Sequence, residues 1–130
     1  MVTRMRRAAP GFTLIEMMVV LAIIGTLLAL AMPKYQHSVD HSREAMLHHD
    51  LQAMRVAIDQ FLADNGRYPA SLGELVERRY LRSLPRDPVS DDTGTWIAVP
   101  PPEGVAGNGV YDVRSGAQGN ALDGTRYDSW

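Results

Sequence analysis

Glu16 is the residue with the clearest chemical signature, because its carboxylate stands within an otherwise apolar stretch of the chain. A charged side chain inside an apolar membrane helix costs about 2.5–3.5 kcal/mol on insertion scales, so such residues usually have a partner and a function. No basic residue lies within one helical turn of Glu16. Either this side chain lies near a membrane surface and reaches back to it, or its partner comes from another molecule.

A second candidate is a set of side chains at helical spacing: His37, His41, Glu44 and His48. Their spacing of i, i+4, i+7 and i+11 puts them on one face of a helix, where zinc could bind imidazole and carboxylate ligands. The chain has no H-E-x-x-H motif, and one helix face rarely supplies a closed tetrahedral shell. A polar stripe that faces solvent or a neighbouring subunit is therefore the favoured interpretation.

Catalysis by the side chains of this protein has little support in its sequence. His48 and Asp50 are close enough along the chain to suggest an acid–base pair, but no serine lies in a recognisable nucleophile elbow. The chain has no cysteine, which excludes disulfides, thiolate metal sites and a cysteine nucleophile. A formal net charge of −2 argues against nucleic-acid binding. The sequence thus predicts no catalytic residues and no nucleic-acid partner.

The element that carries Glu16 is a run of 21 almost entirely apolar residues, Phe12 to Met32. As a helix it would extend ~30 Å, which is the thickness of the hydrocarbon core of a bilayer. Arg4, Arg6 and Arg7 precede the run, and the positive-inside rule keeps such residues in the cytoplasm. The run therefore predicts one membrane-spanning helix, with the N-terminus cytoplasmic and the bulk of the chain on the other side.

A secretory signal peptide is the alternative interpretation of this run. Ala29, Ala31 and Met32 offer a weak A-x-A-like cleavage pattern near its end. The apolar region of a signal peptide is usually shorter, and an acidic residue such as Glu16 does not suit it. The membrane-spanning interpretation is therefore favoured.

Beyond the apolar run the pattern becomes that of an amphipathic helix, so that one helix is expected from Thr13 to Asp64, with a stop at Asn65-Gly66. Pro33 lacks the N–H that a helix interior needs and is expected to bend this helix. Apolar residues recur at spacings of three and four in its second half: Leu47, Leu51, Met54, Ile58, Phe61 and Leu62. This stripe should hold a small domain against the helix.

The remaining residues, 65–130, predict a small domain that is rich in loops. Ser71 and Glu74 match a capping box at the start of a short helix that continues to about Arg79. The fold class predicted for the chain is α+β, with the long N-terminal helix packed on a small antiparallel sheet.

Two short strands are expected at Thr95–Val99 and Val110–Val113, with a loop rich in proline and glycine between them. The tail that follows contains several glycines and should consist of turns. Tyr127 and Trp130 could anchor this tail on the sheet, because their rings are large and amphipathic.

The segment Pro10-Gly11-Phe12-Thr13-Leu14-Ile15-Glu16 resembles the prepilin cleavage and methylation motif of type IV pilins and type II secretion pseudopilins. In that family a short basic leader ends in glycine, and a membrane-embedded prepilin peptidase cuts after the glycine and methylates the new N-terminal amine. The resemblance implies cleavage between Gly11 and Phe12 and methylation of Phe12. It also implies that Glu16 is the family's assembly glutamate and that Pro33 is its helix-bending proline.

Physical chemistry is consistent with these implied roles. Glycine before the cut lets an extended backbone enter a protease cleft without a side-chain clash. Cleavage creates a positive amine on Phe12, which can neutralise Glu16 of a neighbouring subunit, and a missing partner would leave a costly unpaired charge in the fibre core. A subunit one step out of register would break this pair. Glu16 is therefore predicted to act as an assembly checkpoint.

Short motifs in the second half resemble the major pseudopilin of type II secretion, the G type: Asn65-Gly66-Arg67-Tyr68-Pro69, Leu84-Pro85-Arg86-Asp87-Pro88 and Tyr111-Asp112-Val113. Major type IV pilins often carry a cysteine pair near the C-terminus. This chain has no cysteine, which favours a pseudopilin over an adhesive pilus subunit.

The resemblance also implies a candidate metal, calcium. Major pseudopilins bind calcium in a C-terminal loop through aspartates, one of them in a Gly-Ala-Asp-Gly-like stretch. The matching stretch here is Gly116-Ala117-Gln118-Gly119, which lacks that aspartate. Asp123 and Asp128 remain as candidate calcium ligands. The alternative is that Asp123-Gly124 is simply a turn.

The resemblance implies a structural, non-catalytic subunit of the periplasmic pseudopilus that drives type II protein secretion. Its implied partners are copies of itself in a helical polymer, a prepilin peptidase, an inner-membrane platform with its ATPase, and minor pseudopilins. Its implied location is the bacterial inner membrane, with a single pass and a periplasmic C-terminal domain. The implied parts are a leader, a membrane half-helix, an amphipathic half-helix and a periplasmic domain, at residues 1–11, 12–33, 34–64 and 65–130.

Two other functions stay open on the sequence. One is a type IV pilin used for adhesion, motility or DNA uptake, which shares the N-terminal motif. The other is a membrane-anchored periplasmic binding protein or enzyme. It is less favoured because the residues beyond the long helix leave little room for a deep pocket.

Overall fold

The computed structural model describes residues 8–130, so the arginines of the predicted leader lie outside the described residues. In chain order the elements are α1 (Leu14–Asn65), α2 (Leu72–Glu77), β1 (Ile97–Val99), β2 (Asp112–Arg114) and a 3-10 turn at Tyr127–Ser129. The long helix and the small antiparallel sheet confirm the predicted α+β class. The chain divides into two compact units, the first ending at His37 and the second comprising Ser38–Trp130.

The end of α1 shows why the predicted stop at Asn65-Gly66 is correct. Gly66 has a φ of +67°, and its N–H donates to the carbonyl of Leu62 at 2.8 Å. Glycine adopts this left-handed conformation without steric cost, and it satisfies a carbonyl that the helix end would otherwise leave free. The side-chain amide of Asn65 donates to the carbonyl of Phe61 at 3.0 Å. The observed helix thus ends within one residue of the predicted position.

The apolar stripe in the second half of α1 forms one wall of the core of the second unit. Its buried residues are Leu47, Leu51, Met54, Ala57, Ile58 and Phe61. The buried residues packed with them come from the rest of the unit: Leu72, Leu75, Trp96, Val110, Val113, Ala117, Ala121 and Tyr127. Full burial of one large apolar side chain stabilises a fold by about 1.5–3 kcal/mol, so this packing is the main attachment of the small domain to the helix. Leu62, predicted as part of the stripe, stays partly exposed.

The start of α2 combines a helix cap with an ion pair. The Ser71 hydroxyl accepts the N–H of Glu74 at 3.3 Å, as the predicted capping box requires. The carboxylate of Glu74 accepts the N–H of Ala70 at 2.6 Å and pairs with the Arg67 guanidinium at 2.6 Å. These contacts favour the ionised carboxylate, so Arg67 first and the Ala70 N–H second lower the pKa of Glu74 to about 2.

This low pKa predicts a pH-dependent effect of Glu74→Gln. The folded-state pKa lies below the ordinary value of 4.5, so the ionised carboxylate stabilises the fold above that value and loses this effect as the pH falls toward 2. The wild-type chain should therefore unfold at a higher urea concentration than Glu74→Gln at neutral pH, and the two midpoints should converge in acid. Tryptophan fluorescence of the full-length chain in detergent measures both midpoints. A difference that stays constant down to pH 3 would contradict the assignment.

The sheet is shorter than the sequence predicts. β1 and β2 pair antiparallel, with Ala98 opposite Val113. β2 begins two residues later than predicted because the N–H of Val110 donates to the carbonyl of Pro69 at 2.8 Å, outside the sheet. Gly109 permits this approach, since it has a φ of +114° and a Cβ atom there would clash with the Pro69 carbonyl oxygen. The connection after α1 thus takes Val110, the start of the predicted strand, out of the sheet.

Asp87 is a fully buried carboxylate in the loop between α2 and β1. One of its oxygens accepts the N–H groups of Val89 and Ser90, at 2.8 and 3.1 Å. The other oxygen accepts the hydroxyl of Ser115 at 2.6 Å. Ser115 is equally buried, and its oxygen accepts the N–H of Ala117 at 3.1 Å. Asp87 therefore ties this loop to the segment that follows β2.

Candidate functional site

The predicted cleavage point lies in an accessible segment before α1. Residues 8–13 have no regular secondary structure and are exposed, and Phe12 is 77% exposed. No described atom lies within 4 Å of the position that a Cβ atom on Gly11 would take. A protease needs an exposed backbone that is free to leave regular structure. The described residues leave the peptide bond between Gly11 and Phe12 open to attack, and cleavage there stays a prediction.

Thr13 and Glu16 begin α1 with a reciprocal pair of hydrogen bonds. The N–H of Thr13 donates to the Glu16 carboxylate at 3.4 Å, and the N–H of Glu16 donates to the Thr13 hydroxyl at 3.2 Å. This arrangement is a capping box, and it places the carboxylate at the positive end of the helix dipole. Glu16 thus has a partner in its own chain, which our sequence analysis missed although Thr-x-x-Glu before an apolar run is the known signature. Its assembly role stays a prediction.

The first unit exposes an almost continuous apolar surface. Every residue from Phe12 to Met32 is exposed in the isolated chain. The hydroxyl of Thr26 donates to the carbonyl of Ala22 at 2.8 Å, which satisfies a polar group without water. By length and composition, α1 is the one helix in residues 8–130 that could cross a membrane. An apolar surface of this extent needs a membrane, other subunits or both to cover it.

Pro33 lies inside α1, whose helical span is continuous from Leu14 to Asn65. A proline at this position cannot donate to the carbonyl of Ala29, so one hydrogen bond of the helix is missing there. The bend at Pro33 stays a prediction.

The polar residues in the second half of α1 have structural partners. Glu44 accepts the N–H of Leu122 at 2.7 Å and the hydroxyl of Tyr127 at 3.0 Å. His48 stacks on the indole of Trp130, with ring centroids 3.9 Å apart and 16° between the planes. Within residues 8–130, no three His, Cys, Asp or Glu side chains gather closely enough to hold a metal ion. The zinc alternative for this helix face therefore finds no support in the geometry.

The C-terminal aromatic residues pack on α1, so the prediction that they anchor the tail on the sheet was wrong. The Glu44 carboxylate offers the Tyr127 hydroxyl a strong acceptor, and the His48 ring offers Trp130 a flat face. The three-residue strand β1, in contrast, is largely exposed, and its Ile97 side chain stays 47% exposed. Burial first, then the hydrogen bond to Glu44 and its negative charge, raise the pKa of Tyr127 to about 12.

Asp123 and Asp128, the candidate calcium ligands, each accept hydrogen bonds from residues of the tail. Asp123 accepts the N–H and the hydroxyl of Thr125, at 2.9 and 2.6 Å. Both carboxylate oxygens of Asp128 accept hydrogen bonds from the Arg126 guanidinium. Calcium takes roughly six to eight oxygen ligands, often with several carboxylates among them. The residues present do not fit the calcium site that the resemblance implies.

The N-terminal residues match a known family model. The prokaryotic N-terminal methylation motif matches residues 6–32. This range contains the Gly11–Phe12 peptide bond, the capping pair of Thr13 and Glu16, and the exposed apolar run. The residues that the structure places around the start of α1 are thus those of the motif.

Relatives extend the similarity beyond the motif. The type II secretion system core protein G of Pseudomonas aeruginosa is 35% identical over 99 residues, which cover 64% of this chain and 70% of that protein. The protein of the same name from Escherichia coli is 32% identical over 121 residues, or 81% of this chain and 79% of that protein. The chain belongs to the type II secretion system core protein G family. This confirms the predicted resemblance.

This core protein G family member is also similar in sequence to fimbrial proteins. The fimbrial protein EcpC of Eikenella corrodens is 31% identical over 126 residues, which cover 93% of this chain and 81% of that protein. No solved structure gives a significant match. From the sequence, Gly11 and Phe12 are predicted as site residues by the motif, and Glu16 by its charge in an apolar run. The roles of Glu44 and Asp87 could not be predicted in this way, because their partners are distant along the chain.

Proposed function

We propose that this core protein G family member is a structural subunit of the periplasmic pseudopilus of a type II secretion system. The observation that carries the proposal is the methylation motif on residues 6–32, located at the start of a helix whose apolar surface is exposed in the isolated chain. The membrane holds this surface before assembly, and neighbouring subunits cover it in the fibre. The second unit, which has its own buried core, forms the outer part of the fibre.

The proposed topology follows from charge and apolar length. Residues 12–33 cross the inner membrane once, and the arginines of the leader keep the N-terminus in the cytoplasm. Residues 34–64 continue as the amphipathic half of the helix, and residues 65–130 form the periplasmic domain. Pro33 bends the helix near the membrane surface.

The proposed processing creates the charge that assembly uses. A prepilin peptidase hydrolyses the bond between Gly11 and Phe12 and transfers a methyl group to the new amine of Phe12. The amine keeps its positive charge, which pairs with Glu16 of a neighbouring subunit in a low-dielectric surrounding. The partners proposed beyond the peptidase are an inner-membrane platform, its ATPase and minor pseudopilins. The subunit itself is proposed to be non-catalytic.

Intact mass spectrometry of the full-length chain tests the proposal, with membranes from hosts that contain or lack a prepilin peptidase. We expect loss of Met1 to Gly11 and one added methyl group only where the peptidase is present. Gly11→Val should keep the leader, because a branched side chain obstructs the protease cleft. Gly25→Ala is the matched control, since a Cβ atom there also meets no atom within 4 Å, and it should be processed normally. An intact N-terminus, or a cut after the apolar run, would refute the processing.

A type IV pilin is the second candidate function, and the similarity to EcpC across 93% of this chain favours it. Deletion of the gene separates the two functions. A pseudopilus subunit is expected to leave secreted proteins trapped in the periplasm of the deletion strain. A pilin is expected to leave secretion intact and to remove surface fibres.

A further inference from the structure

Residues 116–130, here called the C-terminal segment, are irregular apart from an isolated antiparallel bridge between Asn120 and Arg126 and the 3-10 turn at Tyr127–Ser129. Ala117, Ala121 and Tyr127 are nevertheless buried in the core of the second unit. Ordering an irregular segment costs conformational entropy, so specific contacts must hold it in place. In the family that this chain resembles, calcium is expected to supply those contacts, and the residues present here do not fit that ion.

Glu44 on α1 reaches two separate points of the C-terminal segment. Its Oε1 atom accepts the backbone N–H of Leu122 at 2.7 Å and the hydroxyl of Tyr127 at 3.0 Å. Hydrogen bonds to an ionised acceptor are shorter and stronger than those between neutral groups. One carboxylate thus fastens both ends of the turn between these residues to the helix, which is the kind of cross-link that a bound cation would otherwise provide.

His48 adds a second contact one helical turn beyond Glu44. The imidazole stacks on the indole of Trp130, and the ring of Tyr127 meets the same indole edge to face at 5.4 Å. The indole N–H of Trp130 donates to the Thr125 hydroxyl at 2.8 Å. Trp130 is therefore held both by His48 of α1 and by Thr125 and Tyr127 of the C-terminal segment.

Arg126 carries a positive charge inside the C-terminal segment. Its guanidinium donates to both carboxylate oxygens of Asp128, and Thr125 donates to one oxygen of Asp123. A calcium ion bound to Asp128 would have to displace this guanidinium and then remain beside it, which like-charge repulsion opposes. The charge pair is complete without a metal ion.

We propose that Glu44 is the residue that fastens the C-terminal segment to α1, and that the segment folds without calcium. The Arg126–Asp128 pair and the stack of Trp130 on His48 complete the attachment. This role concerns the folding of the subunit and does not depend on which fibre the subunit builds.

Limited trypsin digestion of the full-length chain in detergent tests the proposal. Cleavage after Arg126 releases the peptide Tyr127–Trp130, and its rate follows the fraction of time for which the segment is open. We expect Glu44→Ala to release this peptide about tenfold faster than the wild-type chain, because charge-assisted bonds are lost. The matched control is Asp59→Ala, an exposed carboxylate on the same helix, which should leave the rate unchanged. Millimolar calcium chloride or a calcium chelator should change none of the rates by more than about twofold.

Two results with the wild type and Glu44→Ala, and a third with Tyr127→Phe, would overturn the proposal. One is a wild-type release rate that calcium slows severalfold, because calcium would then hold the segment. The other is a Glu44→Ala rate equal to that of the wild type. If Glu44→Ala does not fold, Tyr127→Phe removes only the hydroxyl that Glu44 accepts and should speed release about threefold. A Tyr127→Phe rate equal to the wild-type rate would also overturn the proposal.

Discussion

Glu16→Ala subunits are expected to be cleaved and methylated normally but to be about a hundredfold depleted from fibres, because removing one partner of a buried ion pair costs about 3–5 kcal/mol. The unpaired group in the variant is the amine of Phe12 in a neighbouring subunit. Glu16→Gln should fail equally, since its amide carries no negative charge. Glu16→Asp keeps the charge on a shorter side chain and should recover part of the assembly.

Glu16→Gln distinguishes the effect of losing the ion pair from the effect of losing the capping box that the structure shows. The glutamine side chain keeps an oxygen that can accept the N–H of Thr13, so the helix cap can survive in this variant. Thr13→Val is the matched control, because it removes the capping hydroxyl but keeps the carboxylate. Its expected cost is about 0.5–2 kcal/mol at the helix start, which is smaller than that of a broken ion pair.

Quantitative immunoblots of sheared fibres and of membranes measure the assembled and unassembled subunits. Intact mass spectrometry of the same samples verifies cleavage and methylation. If Glu16→Gln assembles like the wild type, the helix cap is the role of Glu16 and the predicted checkpoint role is wrong.

Asp87→Ala is expected to lower the free energy of unfolding by about 3–5 kcal/mol, because it leaves three hydrogen-bond donors without their acceptor. The three donors are the partly buried N–H groups of Val89 and Ser90 and the buried hydroxyl of Ser115. Each unsatisfied buried group costs about 1–3 kcal/mol. Asp87→Asn keeps one acceptor oxygen but brings an NH2 group toward existing donors, so its effect should be smaller but still large.

Urea unfolding of the full-length chain in detergent measures this loss through tryptophan fluorescence. Trp96 is a suitable reporter because its indole is buried and donates to the carbonyl of Pro85, two residues before Asp87. Asp59→Ala, an exposed carboxylate on α1, is the control and should stay within about 0.5 kcal/mol of the wild type. An Asp87→Ala midpoint equal to that of this control would contradict the structural role of Asp87.

Several features of this protein could be predicted from the sequence because they depend on residues close along the chain. The span of α1 follows from an apolar run and then a stripe at spacings of three and four, and its end follows from Asn65-Gly66. Glu16 stood out because a carboxylate is rare in such a run. Its partner Thr13 is only three residues away, so the capping box could also have been predicted from the sequence.

The family motif added what local physics could not supply, namely the predictions of cleavage at Gly11–Phe12 and of methylation. A protease site is recognised by another protein, so no internal contact of this chain marks it. The structure contributes only that the segment is exposed and precedes the helix.

Only the tertiary structure decided how the small domain is held together. Glu44 bonds Leu122 and Tyr127 across 78 and 83 residues, Arg55 bonds Asp112 across 57, and Asp87 bonds Ser115 across 28. Periodicity and turn signals report on neighbours within about four residues, because that is the reach of a helical turn or a tight turn. Which distant carboxylate meets which donor depends on how the loops return to α1, and that path is set by the packing of the whole core.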